Sequence, residues 1–145
     1  MIFSELNWLA VAVAALAQFT IGGVWFGPKT FYPIWMKAMG KEIPTERTDK
    51  IGGVNAGLAF GLTFVGQLIQ VITLAVFIEL ATKVDPAFGA LGGLAAGALL
   101  GFGIAAASSL SHRLFANAGL KVWIIEVAQD IVALAIGGLI LGAWL

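Results

Sequence analysis

Four apolar segments follow one another along the chain, with short polar stretches between them. Their approximate ranges are 7–26, 52–81, 88–110 and 122–144. A helix needs about 20 apolar residues to cross the hydrocarbon core of a bilayer, so each segment is long enough to span it once. The pattern predicts an all-α integral membrane protein with four transmembrane helices. We expect residues 1–145 to form a single transmembrane domain.

Only the first connection, Gly27–Ile51, is long enough to hold structure of its own. Gly27–Pro28 ends the first helix, and the stretch that follows, as far as Gly40, mixes large apolar residues with lysine. This mixture is typical of a short interfacial helix, here beginning near Pro33; an ordered loop resting on the lipid headgroups is the alternative. Residues 41–50 are polar and charged, so we expect an exposed loop there.

Glycine recurs every four residues in the third segment, at Gly89, Gly93, Gly97 and Gly101. Such a stripe lets another helix approach closely, because side chains are absent where the backbones meet. The alternative is a helix that is merely rich in small residues, since glycine is frequent in transmembrane helices. The partner helix could belong to the same chain or to another copy. Four short helices bury few side chains in a monomer, so we expect a homo-oligomer or a larger membrane complex.

Composition supports a lipid environment, and charge indicates an orientation. The chain is 60% hydrophobic and 11% charged, with a mean hydropathy of +0.98 and a net charge of zero, which gives no reason to expect nucleic acid as a partner. Lys83 alone of the basic residues lies near the second connection, where we expect it to pair with Glu79. The positive-inside tendency therefore places the first and third connections in the cytoplasm and both termini outside. The other basic residues are Lys29, Lys37, Lys41, Arg47, Lys50, Arg113 and Lys121.

The sequence contains no complete catalytic motif. It has no cysteine, which excludes thiolate nucleophiles, thiolate metal sites and disulfides. His112 is the only histidine, and although Ser108, Ser109 and Ser111 precede it, they do not form a G-x-S-x-G elbow. Walker loops, H-E-x-x-H and a dinucleotide fingerprint are also absent from the sequence. We expect neither an enzyme nor a cofactor.

Two acids, Glu126 and Asp130, lie within the last apolar segment, one helical turn apart on the same face. Ionisable groups in such segments usually face the bundle interior or a water-filled path. Two ionised carboxylates this close in a low dielectric repel each other. We therefore expect at least one to be protonated unless a cation neutralises the pair. Lys121, His112 and Arg113 are the candidate cations.

Four amide side chains could extend this polar region through the bundle. If the segments are aligned at their cytoplasmic ends, Gln18 falls near the depth of Asp130 and Asn55 near that of Glu126. Gln67 and Gln70 lie near the middle of the second segment. These residues could line a path; interhelical hydrogen bonds, worth on average about 0.6 kcal/mol each, are the simpler alternative.

Three interpretations of the acid pair stay open. In the structural one, Glu126 reaches the interface or pairs with Arg113 or Lys121, and Asp130 is protonated and hydrogen-bonded. In the second, the pair binds and releases protons or a cation during transport. In the third, Glu126, Asp130 and His112 bind a metal, although no fixed ligand spacing supports this and we predict no metal site.

Five stretches near the ends of the first and last segments carry a recognisable pattern: Asn7–Ala10, Gly23–Pro28, Trp35, Leu120–Ile125 and Gly138–Trp144. They resemble a known family, domain-of-unknown-function family 1761. The resemblance covers essentially the whole chain and implies a small four-helix protein of the bacterial inner membrane, with no established activity, substrate or cofactor. The family pattern tends to have Asn and His in place of Glu126 and Asp130, and Asn-Tyr in place of His112-Arg113. The acids of this chain would therefore suit an internal charge network.

Two functions follow as hypotheses. The first is a homo-oligomeric transporter or channel linked to protons or cations, with Glu126 and Asp130 as its responsive site and the amide side chains along its path. The second is a non-catalytic accessory or structural subunit of a larger membrane complex, built around the glycine stripe.

Overall fold

The computed structural model describes residues 2–46 and 49–144, so Arg47 lies outside the described residues. The structure is 77% helical, which confirms the all-α fold class. Four helices are long and apolar enough to cross a membrane. They are α1 (Trp8–Trp25), α3 (Ala56–Val84), the continuous helix Gly89–Phe115, and α6 (Leu120–Ala143).

The four long helices alternate in direction, which gives the bundle two distinct ends. At the termini end, Glu5 pairs with Lys83 and the Asn7 amide donates to the Trp144 carbonyl over 3.4 Å. At the other end, here called the α2 end, α1 stops and α6 begins. Lys83 thus pairs with Glu5 rather than with Glu79, because the segment before α1 folds back over the end of α3.

Helix α6 is the centre of the bundle. Its apolar window is 44% buried, against 22–28% for the other three spans, and it packs against α1, α3 and the third span. The apolar core lies between α1, α3 and α6 and includes Val11, Ala14, Leu74, Ile78 and Leu141. The buried face of α6 therefore contacts several other helices.

Helix α3 begins later than the sequence pattern predicts because a small hairpin precedes it. Strands β1 (Lys50–Ile51) and β2 (Val54–Asn55) pair antiparallel around Gly52 and Gly53, whose φ angles are +59° and +85°. Positive φ at both central residues is what a two-residue hairpin turn with the twist of its strands requires. The Asn55 side chain then accepts a hydrogen bond of 2.7 Å from the Leu58 N–H and caps α3.

The third span contains an unpredicted π-helical segment. It consists of α4 (Gly89–Leu100), the π segment Gly101–Ala106 and α5 (Ala107–Phe115), and extends five residues beyond the predicted end at 110. The indole N–H of Trp123 on α6 donates to the Ala106 carbonyl over 3.1 Å. The Ser109 hydroxyl donates to the same carbonyl, also over 3.1 Å. Two side chains therefore bind the backbone where the π segment ends.

The glycine stripe of the third span packs against α6 of the same chain. A Cβ on Gly93 would overlap the Gly138 carbonyl oxygen, and one on Gly97 would overlap the Leu134 carbonyl oxygen. At Gly101 a Cβ would lie 2.8 Å from the Ile131 Cα. Because these contacts occupy the glycine stripe within one chain, the stripe does not support self-association. A homo-oligomer remains a prediction.

The short helix predicted after the first span is present as α2 (Tyr32–Ala38), with Pro33 in its first turn. Two aromatic contacts hold it against the end of α1. Trp25 stacks on Phe31 with ring centroids 4.5 Å apart, and Phe26 meets Trp35 edge to face at 5.3 Å. These contacts bring the Trp35 side chain to α6.

Candidate functional site

A polar cleft lies at the α2 end, between α2, α5 and α6. Its volume is about 290 Å³. Three of the four ion-site candidates from the sequence line this cleft: Glu126, Asp130 and Arg113. The side chains of its lining come from four different elements. We call it the α2 cleft; its lining residues are Phe26, Trp35, Ser109, Arg113, Glu126, Gln129 and Asp130.

Glu126 is the anchored acid of the cleft. Its Oε2 lies 2.6 Å from the Arg113 Nε, and its Oε1 accepts a hydrogen bond of 3.0 Å from the indole N–H of Trp35. The Glu126 side chain is 16% exposed and that of Arg113 is 46% exposed. The ion pair engages one carboxylate oxygen and the hydrogen bond the other, and together they fix the orientation of the Glu126 side chain. Arg113 is thus the neutralising cation, whereas among the described residues neither His112 nor Lys121 forms an ion pair with Glu126.

Tryptophan N–H groups attach α6 to its neighbours around the cleft. Trp25, at the end of α1, donates to the Ile125 carbonyl over 3.1 Å, one residue before Glu126. Trp35 reaches Glu126 from α2, and Trp123 reaches α5 and the π segment, with its indole nitrogen 3.2 Å from the Ser109 hydroxyl. Because the three tryptophans link α6 to different elements, the first two turns of α6 are held from several sides.

Asp130 is the unanchored acid of the cleft. It lies one turn along α6 from Glu126 and is partly buried. Among residues 2–46 and 49–144 it forms no hydrogen bond or ion pair, and the charges that act on it are those of Glu126 and Arg113. Its carboxyl group can therefore gain or lose a proton, or contact a cation, without breaking any contact within the described structure.

Gln129 adjoins the two acids and is a buried member of the cleft lining. It is only 6% exposed, and its amide nitrogen has no hydrogen-bond partner within the described residues. A second buried amide, Gln18 on α1, is fully buried, and neither its Nε2 nor its Oε1 has a partner in the same part of the chain. Buried polar groups without partners are rare and call for an explanation.

The remaining sequence candidates do not line the α2 cleft. Asn55 uses its side-chain oxygen to cap α3, and Gln70 is exposed beside a separate, mostly apolar cleft between α3, the π segment and α6. Gln67 is partly buried on α3, with an unpartnered Oε1 among the described residues. The residues of the predicted polar layer thus lie in several separate places. Of these sequence candidates, only the charged ones come together in the α2 cleft.

A metal site at the acid pair is not supported by the geometry. Across residues 2–46 and 49–144, no three His, Asp or Glu side chains come together in a group that could hold a metal ion. His112, the proposed third ligand, is exposed on α5 and outside the cleft lining.

Sequence reasoning missed Trp35, Gln129, Ser109 and Phe26 as members of the site. Gln129 carried a usable signal, since it lies between the two acids in an apolar segment. Trp35 carried none, because it is separated from Glu126 by 91 positions and reaches it only after α2 has docked.

Comparison with known families identifies the family of this chain but gives no activity. The model of a family described as a protein of unknown function, DUF1761, matches residues 9–142. The chain belongs to this family. The resemblance seen in the sequence is thereby confirmed, and the match covers all six α-helices of this DUF1761 protein almost completely. No curated protein and no solved structure matches it. Its function therefore has to be argued from the α2 cleft.

Proposed function

We propose that this DUF1761 protein is a small membrane transporter or channel that moves protons or cations, with Asp130 as the group that takes up and releases them. The observation that supports this most strongly is the contrast between the two acids. Both oxygens of Glu126 are engaged, whereas the Asp130 carboxyl faces the same cleft without a partner among the described residues.

The energetics of a membrane helix favour a functional role for Asp130. A charged Asp near the centre of a spanning helix costs about 2.5–3.5 kcal/mol on insertion scales. A purely structural acid would recover part of that cost through hydrogen bonds to neighbouring helices. Asp130 forms no such bond in the described structure, so exchange of a proton or cation through the cleft accounts better for its presence.

The distribution of basic residues supports an orientation with the α2 cleft open to the cytoplasm. Of the described basic residues, all except Lys83 lie at the α2 end. By the positive-inside tendency, this favours an orientation with both termini on the outer side of a bacterial inner membrane.

Because the chain contains no cysteine, single cysteines can report this orientation directly. We expect a membrane-impermeant maleimide added to intact cells to label Asp85→Cys, in the turn after α3, and to leave Lys41→Cys unlabelled until the cells are opened. The reverse pattern would invert the orientation.

Flux through reconstituted protein tests the proposed activity. Purified protein in liposomes, under an imposed proton, Na⁺ or K⁺ gradient, should pass at least one of these ions faster than empty liposomes. Asp130→Asn should reduce that flux to the empty-liposome level. Asp85→Asn is the matched control, because Asn can still accept the 2.9 Å hydrogen bond that Asp85 Oδ1 receives from the Ala87 N–H.

Two results would refute the transport proposal. The first is no flux of any of the three ions in wild-type protein; the second is unchanged flux in Asp130→Asn. Purification from native membranes with a partner in fixed stoichiometry would favour the accessory role instead. Native mass spectrometry of the same preparation would show whether the protein is the predicted homo-oligomer.

A further inference from the structure

Arg113 supplies the positive charge of the α2 cleft. Its Nε lies 2.6 Å from the Glu126 Oε2, and among the described residues its side chain forms no other ion pair or hydrogen bond. A guanidinium carries five N–H donors in a rigid fork and always keeps its charge. The Arg113 side chain is 46% exposed, so part of it is free of packing contacts. Arg113 therefore has donors to spare beyond its contact with the Glu126 oxygen.

Asp130 shares the cleft with this guanidinium. Arg113 and Asp130 both line it, and the charges that act on the Asp130 carboxyl are those of Arg113 and Glu126. The two acids are one turn apart on α6, and α6 packs against α5, which carries Arg113. One guanidinium therefore serves two carboxyl groups.

The charges of the cleft balance when it holds one proton. With Asp130 protonated, the lining carries the negative charge of Glu126 and the positive charge of Arg113. When Asp130 releases its proton to water, the O–H bond breaks, its electron pair stays on the carboxylate, and the lining gains a negative charge. The spare N–H donors of Arg113 can compensate that charge from within the cleft, because charged donors bind carboxylates strongly.

A metal ion would find few free oxygens in this lining. Cations that leave water need oxygen ligands in place of their water shell, about six or more for Ca²⁺ and Mg²⁺ and a cage of carbonyls for K⁺. Both oxygens of Glu126 are engaged, and the Ser109 hydroxyl accepts from the Trp123 indole N–H over 3.2 Å. The Asp130 carboxylate and the Gln129 amide oxygen remain, and they are too few to replace the water shell of an ion.

We infer that the α2 cleft is selective for protons and that Arg113 is the residue that excludes Na⁺ and K⁺, by acting as the counter-ion of Asp130 whenever its proton has left. This inference rests on the proposed function and deepens it, since it names the proton as the transported species. A proton needs no ligand shell, because it binds covalently to one carboxyl oxygen. A metal ion would have to compete with the guanidinium for the same carboxylate.

Protection of Asp130 from a hydrophobic carbodiimide tests this selectivity without a transport assay. The reagent modifies protonated carboxyl groups inside a membrane, and an ion bound at the carboxylate slows the reaction. At one fixed pH, we expect the rate of Asp130 modification in the wild-type protein to be the same in Na⁺, in K⁺ and in the bulky cation N-methylglucamine at equal ionic strength. Slower modification in Na⁺ or K⁺ would overturn the inference, as would an Asp130 that does not react.

Replacing Arg113 by Gln tests the role of the guanidinium. The variant leaves two carboxyl groups in the cleft and removes their shared cation, so we expect Na⁺ to slow the modification of Asp130 and radioactive Na⁺ to enter liposomes faster than in the wild-type protein. Lys121→Gln is the matched control. It removes a basic group at the same end of α6 that does not line the cleft, and it should exclude Na⁺ as the wild-type protein does.

A second variant covers the case in which Arg113→Gln fails to fold. The double variant Arg113→Gln with Glu126→Gln removes both members of the ion pair, so no unpaired charge is left behind and Asp130 alone remains. We expect Na⁺ to protect Asp130 in this variant as well. An Asp130 that reacts at the same rate with and without Na⁺ in these variants would overturn the role of Arg113.

The outcomes for the two proposals are distinguishable. Asp130-dependent flux of Na⁺ or K⁺ through the wild-type protein would retain the transport function and refute the proton selectivity. A protein that passes none of the three ions, but whose Asp130 reacts with the carbodiimide and is protected by neither Na⁺ nor K⁺, would refute the transport function and retain a proton-selective site.

Discussion

Replacing Trp35 by Phe tests whether Glu126 is held as an ionised group. The change removes the indole N–H, which lies 3.0 Å from the Glu126 Oε1, and leaves an aromatic ring to pack against Phe26. Trp25→Phe is a matched comparison. It removes an indole N–H from a 3.1 Å bond to the neutral Ile125 carbonyl on the same helix, and both tryptophans are half-buried.

The two changes should differ in cost because their acceptors differ in charge. A hydrogen bond to a charged group contributes about 1.5–3 kcal/mol, against about 0.5–1.5 kcal/mol for a neutral pair. Glu126 keeps its Arg113 partner in the variant. We therefore expect the free energy of unfolding to fall by about 2 kcal/mol in Trp35→Phe and by about 1 kcal/mol in Trp25→Phe. The difference between the two losses, about 1 kcal/mol, is the part of the Trp35 hydrogen bond that comes from the charge on Glu126.

Reversible unfolding in mixed micelles gives the free energy of unfolding for each variant. In a Glu126→Gln background the acceptor is neutral, so Trp35→Phe should cost only about 1 kcal/mol and the double-mutant coupling should be about 1 kcal/mol. Equal losses for the two tryptophan variants, or a coupling energy indistinguishable from zero, would refute an ionised, anchored Glu126.

Two further predictions concern the α4–α6 contact and the termini end of the bundle. Gly97→Ala should lower the free energy of unfolding by about 1–3 kcal/mol, since its Cβ overlaps the Leu134 carbonyl oxygen and must push α4 away from α6. At the termini end, Lys83 hydrogen-bonds to Glu5 and lowers the pKa of that carboxyl below its ordinary value of 4.5. The contribution of this pair to stability is therefore complete above pH 4.5 and is lost as the pH falls further. The NMR shifts of residues 2–6 should report this loss.

Each of these predictions has a control within the chain. Gly61→Ala on α3 meets nothing within 4 Å and should leave stability unchanged or raise it by up to about 1 kcal/mol. A similar loss in Gly61→Ala and Gly97→Ala would contradict the close α4–α6 contact. Glu5→Gln should abolish the acid transition of residues 2–6, and its persistence would show that another group titrates there.

The spans were predictable because hydrophobicity over about 20 residues identifies a membrane helix whatever its neighbours are. Local features, such as where a helix begins, were harder to predict from the sequence. The start of α3 was misplaced because Gly52 and Gly53 were read as part of an apolar segment rather than as a two-residue hairpin turn. The π segment ends where Trp123 binds the Ala106 carbonyl, which is a tertiary contact that no local pattern encodes.

The site was predictable only in its charged members. Glu126, Asp130 and Arg113 stand out in or beside apolar segments, where ionisable side chains are costly. The pairing of Glu126 with Arg113 was among the interpretations drawn from the sequence, whereas the bond from Trp35 was not accessible, because it depends on α2 docking beside α6. The unpartnered state of Gln18 likewise emerges only when α1 and α6 are in contact.

The proposed function requires that one carboxyl of the cleft is held in an ion pair while the other is free to take up a proton. Treatment of the protein in bilayers with a hydrophobic carbodiimide, which reacts with protonated carboxyl groups inside a membrane, followed by peptide mass spectrometry, distinguishes the two most directly. We predict modification of Asp130 with Glu126 left unmodified, and we expect Arg113→Gln to make Glu126 reactive as well. Modification of Glu126 in the wild-type protein, or an unreactive Asp130, would contradict the account.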